Sequence, residues 1–204
     1  SKPSRKRIIL CVNRSLGEME LLQTKLRSFL AQLKLNGFEI IFIDLPEVSF
    51  DYKTISSTDI RADITKFLHR YGSDNEPRSF EGLVECYRER PHAHLYGMER
   101  LEDELAMPQI EKSELKKLVQ ENVVKARNLI NSILDRYDAD FVGFLNFVDW
   151  FSIGGGPSST LPVSFETKPP ISIMLGSRVG NDLALLDIVQ EFSEVAKAAQ
   201  HTDN

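Results

Sequence analysis

The run Gly154-Gly155-Gly156-Pro157-Ser158-Ser159-Thr160 holds the residue types most suggestive of chemistry. Glycines beside serines can form an anion-binding loop or hold a nucleophile in a strained turn. A phosphate loop would need Lys after its second glycine, a nucleophile elbow Gly-x-Ser-x-Gly, and a dinucleotide loop Gly-x-Gly-x-x-Gly opening a helix. None of these spacings is present, and Pro157 with the apolar Leu161, Val163 and Phe165 points to a loop entering a strand. His92-x-His94 offers two imidazoles, but no further ligand at metal spacing accompanies them, so they read as loop histidines and no metal is expected. Glu99, Glu102, Asp103 and Glu104 flank Leu101 and Leu105 and read as the wet side of a helix. Cys11 sits in an apolar run, where a thiol is inert packing, and Cys86 has no basic neighbour arranged to form a thiolate. Asp149-Trp150 is different: an acid and an indole just past a strand end lie where α/β sheets place ligands.

These residues need elements to position them. RIILCV (Arg7 to Val12) reads as a strand, and Ser15-x-x-Glu18 has capping-box spacing for a helix start. Leu22, Leu26, Phe29, Leu30 and Leu33 then line one helical face, and Asn36-Gly37 supplies a left-handed stop. FEIIFIDLP (Phe38 to Pro46) is a second strand, so this stretch is a βαβ unit whose strands should run parallel. From Ser56 to Leu105 the pattern is helical and broken: Ile60, Ile64, Phe67 and Leu68 mark a helix stopped at Tyr71-Gly72, with further short helices over 79–88 and 98–105. A long amphipathic helix from Leu115 to Tyr137 leads to the strand DADFVGFL. Two short strands, in IGGGPSSTLPVSF and ISIMLG, precede a final helix opened by Asn181-Asp182 and carrying Leu185, Ile188, Phe192 and Val195 on one face. No repeat and no long linker interrupts the chain, so residues 1–204 read as a single α/β unit.

Composition narrows the function classes. The chain has 204 residues, 42% hydrophobic and 27% charged, with 25 basic and 30 acidic side chains for a net charge of −5. Folding at this length buries roughly 70% of the unfolded surface, enough for a core without staples. The acidic balance argues against nucleic-acid binding, which rests on clustered Lys and Arg. Two widely separated cysteines fit a reducing compartment, and no apolar run reaches the span of a membrane helix, so the expected location is cytoplasmic without membrane association.

Taken in order, the segments resemble the C-terminal portion of amidase-signature enzymes, the Ser-Ser-Lys amide hydrolases. NGFEIIFIDLP resembles that family's "G-x-E-V-x-x-V-x-L-P" passage, and SFEGLVECYRERPHAHLYGMERLEDE is similar to its "sL-x-dlI" to "yGq-x-x-le" stretch. The long helix into DRYDADFVGFLN, the segment GGPSSTLP, the strand ISIMLG and NDLALLDIVQEFSEVAK each resemble the family's following segments, in the right order. There are departures: Gly156 stands in place of the aromatic of "G-Y-P", Ser159 in place of an apolar residue, and Ser164 where a glycine usually follows the proline.

The resemblance implies a mixed sheet flanked by helices, the C-terminal part of an amidase-like α/β/α sandwich. It implies a parent that hydrolyses a small carboxamide substrate without a cofactor. The family's catalytic lysine and two serines lie upstream of everything matched, so this chain alone is expected to lack them, to be inactive, and to need the N-terminal portion in cis. Its own contribution would be one wall of the pocket, drawn from Asn146, Asp149, Trp150, Gly155, Gly156 and Ser158. Because such a sheet is built from both halves, an uncovered strand edge and self-association are expected of the isolated chain. The alternative reading is a catalytically dead, amidase-derived interaction module, suggested by the residues that replace the usual ones near Gly156.

Overall fold

Strand-forming residues concentrate in five short runs, and in the computed structural model these five runs make one sheet. The structure describes residues 6–13, 20, 24, 26–74, 76–90, 92, 97–145, 148–164 and 170–200, the last two by backbone alone. The strands are β1 (Arg7–Val12), β2 (Glu39–Asp44), β3 (Phe141–Phe144), β4 (Ser158–Ser164) and β5 (Ile171–Gly176), in the order β2-β1-β3-β5-β4. β1 runs parallel to β2 and to β3, as the βαβ pattern predicts for the first pair, whereas β5 runs antiparallel to both β3 and β4. The sheet is therefore mixed. The helices are α1 (Arg27–Leu35), α2 (Tyr52–Tyr71), α3 (Phe80–Arg88), α4 (Glu99–Ala106), α5 (Lys112–Arg136), α6 (Trp150–Gly154) and α7 (Asp182–Gln200). The expected capping box at Ser15 and Glu18 lies outside the described residues, whereas the stop at Gly37 is present with φ +82°.

Tertiary contacts divide the chain into two compact units, one formed by residues 1–48 and 123–204 and the other by residues 49–122. The first is the sheet unit. β1 is buried on both faces: Ile8, Leu10 and Val12 join a core with Phe29, Leu33, Phe38, Ile188, Phe192 and Val195 from α1, α7 and the start of β2. Ile9 and Cys11 point the other way and are equally buried, the continuous apolar pattern of a strand covered on both sides. β2 is an outer strand of the described sheet, and Phe42 on it is 45% exposed.

The second unit is helical, built from α2, α3, α4 and the first residues of α5. α2 is longer than the apolar spacing alone predicts, because its first turns bury small polar residues. Ser57 and Thr58 donate their hydroxyls to the carbonyls of Lys53 and Thr54, one turn back, and so become compatible with burial. Asn122 is buried too, accepting the Asp51 N–H at 2.9 Å and donating to the Leu118 carbonyl at 2.8 Å. Arg61 ties the helices together, donating to the Leu105 and Met107 carbonyls and to Glu81.

Glu104 corrects the reading of 99–104 as a wet face. Glu102 pairs with Arg88 and Asp103 with Lys53, as surface charges do, but Glu104 is 5% exposed and its Oε2 has no hydrogen-bond partner among the described residues. It falls one turn after Leu101, on the packed side of α4, where only a neighbour's approach decides burial. A buried oxygen without a partner costs about 1–3 kcal/mol, so Glu104→Leu is expected to stabilise the helical unit. A higher urea midpoint measured by far-ultraviolet circular dichroism checks this; a lower one means that Glu104 holds a polar partner.

Candidate functional site

β3 delivers the chain to the segment that holds most of the candidate residues. Asn146 lies outside the described residues. Asp149 is half-buried and precedes α6 without capping it through its side chain, and Trp150 and Phe151 are buried. Both rings meet Phe144 edge to face, at centroid distances of 5.0 and 5.9 Å. Trp150 thus packs on Phe144 at the face of the sheet.

The glycine run ends α6 for backbone reasons. Gly155 closes the helix in the left-handed conformation, φ +69°, which is readily available to glycine. Gly156 donates its N–H to the Phe151 carbonyl at 3.0 Å and approaches the Ser177 carbonyl so closely that a Cβ would lie 2.8 Å from it. Ser158 then begins β4 as an exposed residue opposite Gly176. Gly176 itself pairs with Val142 near the start of β3, so the segment crosses from one end of that strand toward the other. Asp149 and Gly156 thus lie on either side of the short helix α6.

What does converge near Gly156 is a cavity of about 230 Å³, lined chiefly by Arg127, Asn131, Gly156, Ser177, Arg178 and Val179. Arg127 donates Nε to the Gly154 carbonyl at 2.7 Å, while its two Nη groups have no partner among the described residues. Arg178 is committed, donating Nη1 to Asn131 at 3.1 Å and Nη2 to Asp135 at 2.7 Å. Ser177 is fully buried, donates its hydroxyl to the Asp140 carbonyl at 2.6 Å and accepts from Asn181 Nδ2 at 2.6 Å. Its proton is held by a carbonyl rather than by a base, so it fastens the 177–181 turn and is not set up as a nucleophile. The arrangement can donate hydrogen bonds to a carbonyl or a small anion, and it is below the usual volume for a drug-sized ligand. Arg127, Asn131 and Asp135 recur every fourth residue along α5, a polar stripe that was the available sequence signal for this cavity.

No group of three or more His, Cys, Asp or Glu side chains among the described residues is arranged to hold a metal ion. His92 is exposed, and His94 lies outside the described residues. No helix among the described residues is long and apolar enough to cross a membrane. Both cysteines are free, and burial pushes the Cys11 thiol from its usual 9.0 up to about 12. Because the fold favours the neutral thiol, the associated stability is intact below the unfolded value near 9.0 and is lost as pH rises toward about 12. Cys11→Ala is expected to flatten that alkaline decline, measured as the urea midpoint against pH.

No family model and no curated protein matches the sequence. Solved structures do. An amidase family protein from Bacillus anthracis superposes with a TM-score of 0.77 at 16% identity, covering 95% of this chain and 39% of that one. The fold is that of the amidase-signature enzymes. The peptide amidase of Stenotrophomonas maltophilia gives a TM-score of 0.73 at 14% identity, covering 95% of this chain and 43% of its own. A bacterial aryl acylamidase of the amidase-signature family gives 0.58 at 15% identity, covering 98% and 45%. The chain thus spans well under half the length of the amidase-signature structures it resembles. The sheet and its flanking helices agree with the expected mixed α/β architecture.

Proposed function

We propose that this chain is the non-catalytic C-terminal portion of an amidase-like protein whose whole form hydrolyses carboxamide C–N bonds. The observation that carries this is the superposition of 95% of the chain on an amidase family protein of which it covers 39%. On this reading the lysine and the two serines that break the amide come from a preceding portion, in cis. This chain completes the α/β/α sheet and lines one wall of the substrate pocket with the segment from Asn146 to Pro157, with the guanidinium of Arg127 beside Gly156 as a hydrogen-bond donor. Two free thiols suit a cytoplasmic setting.

The test is hydrolysis of benzamide and butyramide by the 204-residue chain and by the same chain preceded by its native upstream reading frame. The short form should be inert and the long form active. Turnover by the short form that persists in Ser158→Ala and Ser159→Ala would contradict the division of labour. An upstream frame encoding neither the lysine nor the Gly/Ser-rich serines would turn the reading to a catalytically dead interaction module.

Self-association of the isolated chain belongs to the same proposal. What supports it is that β2 lies at one side of the described sheet with Phe42 partly bare, the kind of edge that recruits another strand. Sedimentation at micromolar concentration is expected to show a dimer that Phe42→Lys returns to monomer. A wild-type monomer at every concentration would remove this part of the proposal.

A further inference from the structure

The helical unit holds a larger cavity that the amide-hydrolysis reading does not use. Its volume is about 430 Å³, within the range of small-molecule sites, and its lining includes Phe67, Tyr71, Glu76, Cys86, Tyr87 and Arg90. Phe67 and Tyr71 stand one turn apart on α2 with ring centroids 5.1 Å apart, yet they are 60% and 64% exposed. Aromatic faces left this bare are costly in water and are suited to stacking a flat apolar ligand.

The walls are held in place. Arg78 donates to the Leu68 and Gly72 carbonyls and to Asp74, fastening the end of α2 to the following turn. The Phe80 N–H donates to Thr65, and Ser79 caps α3 by accepting the Gly82 N–H at 3.0 Å. A site whose walls are already ordered spends little binding energy on arranging them.

The charges choose among flat ligands. Glu76 is engaged: it accepts the Ser73 N–H at 2.8 Å, which together with Arg78 holds its carboxyl below the usual carboxylate range. Arg70 stacks on the outer Tyr71 ring, 5.2 Å from its centroid. The Arg90 guanidinium, by contrast, has no hydrogen-bond or ion-pair partner among the described residues, and its fork of donors matches a carboxylate.

We propose that this cavity binds a planar aromatic carboxylate, its rings against Phe67, Tyr71 and Tyr87 and its carboxylate paired with Arg90. The proposal is independent of the amidase reading, since it rests on residues of the helical unit alone.

Cys86 in the wall provides the readout, because Cys11 is buried and its thiol is pushed far above neutral. The full chain is treated with N-ethylmaleimide near neutral pH, with 2-naphthoate as probe and 2-naphthamide as its uncharged isostere, and labelling is located by peptide mass spectrometry. Naphthoate should slow Cys86 labelling saturably, at concentrations about tenfold lower than naphthamide needs. Arg90→Gln, an exposed change that leaves the fold intact, should raise the naphthoate requirement by about tenfold and leave naphthamide unchanged. Tyr71→Ala should weaken both probes. No saturable protection, equal protection by the two probes, or protection by naphthoate that Arg90→Gln does not alter would each overturn the proposal.

Discussion

Replacing Phe192 by alanine is expected to lower the unfolding free energy of the sheet unit by about 3–5 kcal/mol, a large part of the 5–15 kcal/mol typical of a whole domain. Phe192 is 2% exposed on α7 and meets two rings edge to face, Phe29 of α1 at 5.0 Å and Phe38 just before β2 at 5.9 Å. One side chain thus joins three segments that are distant in sequence, and each aromatic pair contributes about 0.5–1.5 kcal/mol beyond simple burial. The cavity left by alanine cannot close without moving a helix. Urea unfolding followed by the fluorescence of Trp150, the only tryptophan, reports on this unit specifically, because that residue is buried against Phe144. Leu186→Ala on the same helix is the control: at 61% exposure it should shift stability by no more than about 0.5 kcal/mol. Equal effects from the two substitutions would mean that α7 does not pack on the sheet through Phe192.

Gly176→Ala is expected to be nearly as damaging, at about 3 kcal/mol, although it adds a single methyl group. A Cβ on Gly176 would lie 2.2–2.4 Å from three atoms of the Phe151 ring. Phe151 cannot yield easily, since it is fully buried and braced edge to face against Phe144. Gly176 also pairs with Val142 on one side and Ser158 on the other, so the backbone there is held from both directions. A double-mutant cycle checks the cause: Phe151→Leu should recover part of the loss when combined with Gly176→Ala, giving a coupling of about 1 kcal/mol or more. Additive losses would show that α6 is not seated on β5 and would move the whole segment from Asp149 to Pro157.

Local pattern carried most of the elements. The strand-helix-strand order of residues 7–44, the stop at Gly37, the presence of three helices between residues 52 and 106 and the long helix that ends at Arg136 all follow from periodicity and turn residues that act within a few positions. The helix of five residues, Trp150–Gly154, did not: it is too short to display a period, so the sequence reads it as loop. The extra turns at the start of α2 were hidden for a related reason, because Ser57 and Thr58 are buried by back-bonding to their own helix rather than by being apolar.

The ordered motifs in the sequence also led to the amidase-signature fold, which the superposed structures bear out, and they did so where identity falls to 14–16%. Side-chain type and spacing determine which segments become strands and helices, and the continuous apolar run RIILCV suits β1 to burial on both faces. Only the tertiary structure decided the order β2-β1-β3-β5-β4 and the antiparallel placement of β5: β1 pairs with β3 across 141 − 8 = 133 positions, and no local pattern states which strand β5 lies beside or in which direction. It likewise decided which polar residues share a cavity. Arg127 and Arg178 are fifty-one positions apart, 178 − 127 = 51, and meet beside Gly156 because β5 brings Ser177 back to the start of β3. Burial of Glu104 and exposure of Phe67 and Tyr71 were decided in the same way. A residue's own chemistry states its preference for water, but how far it is covered depends on neighbours that distant parts of the chain deliver.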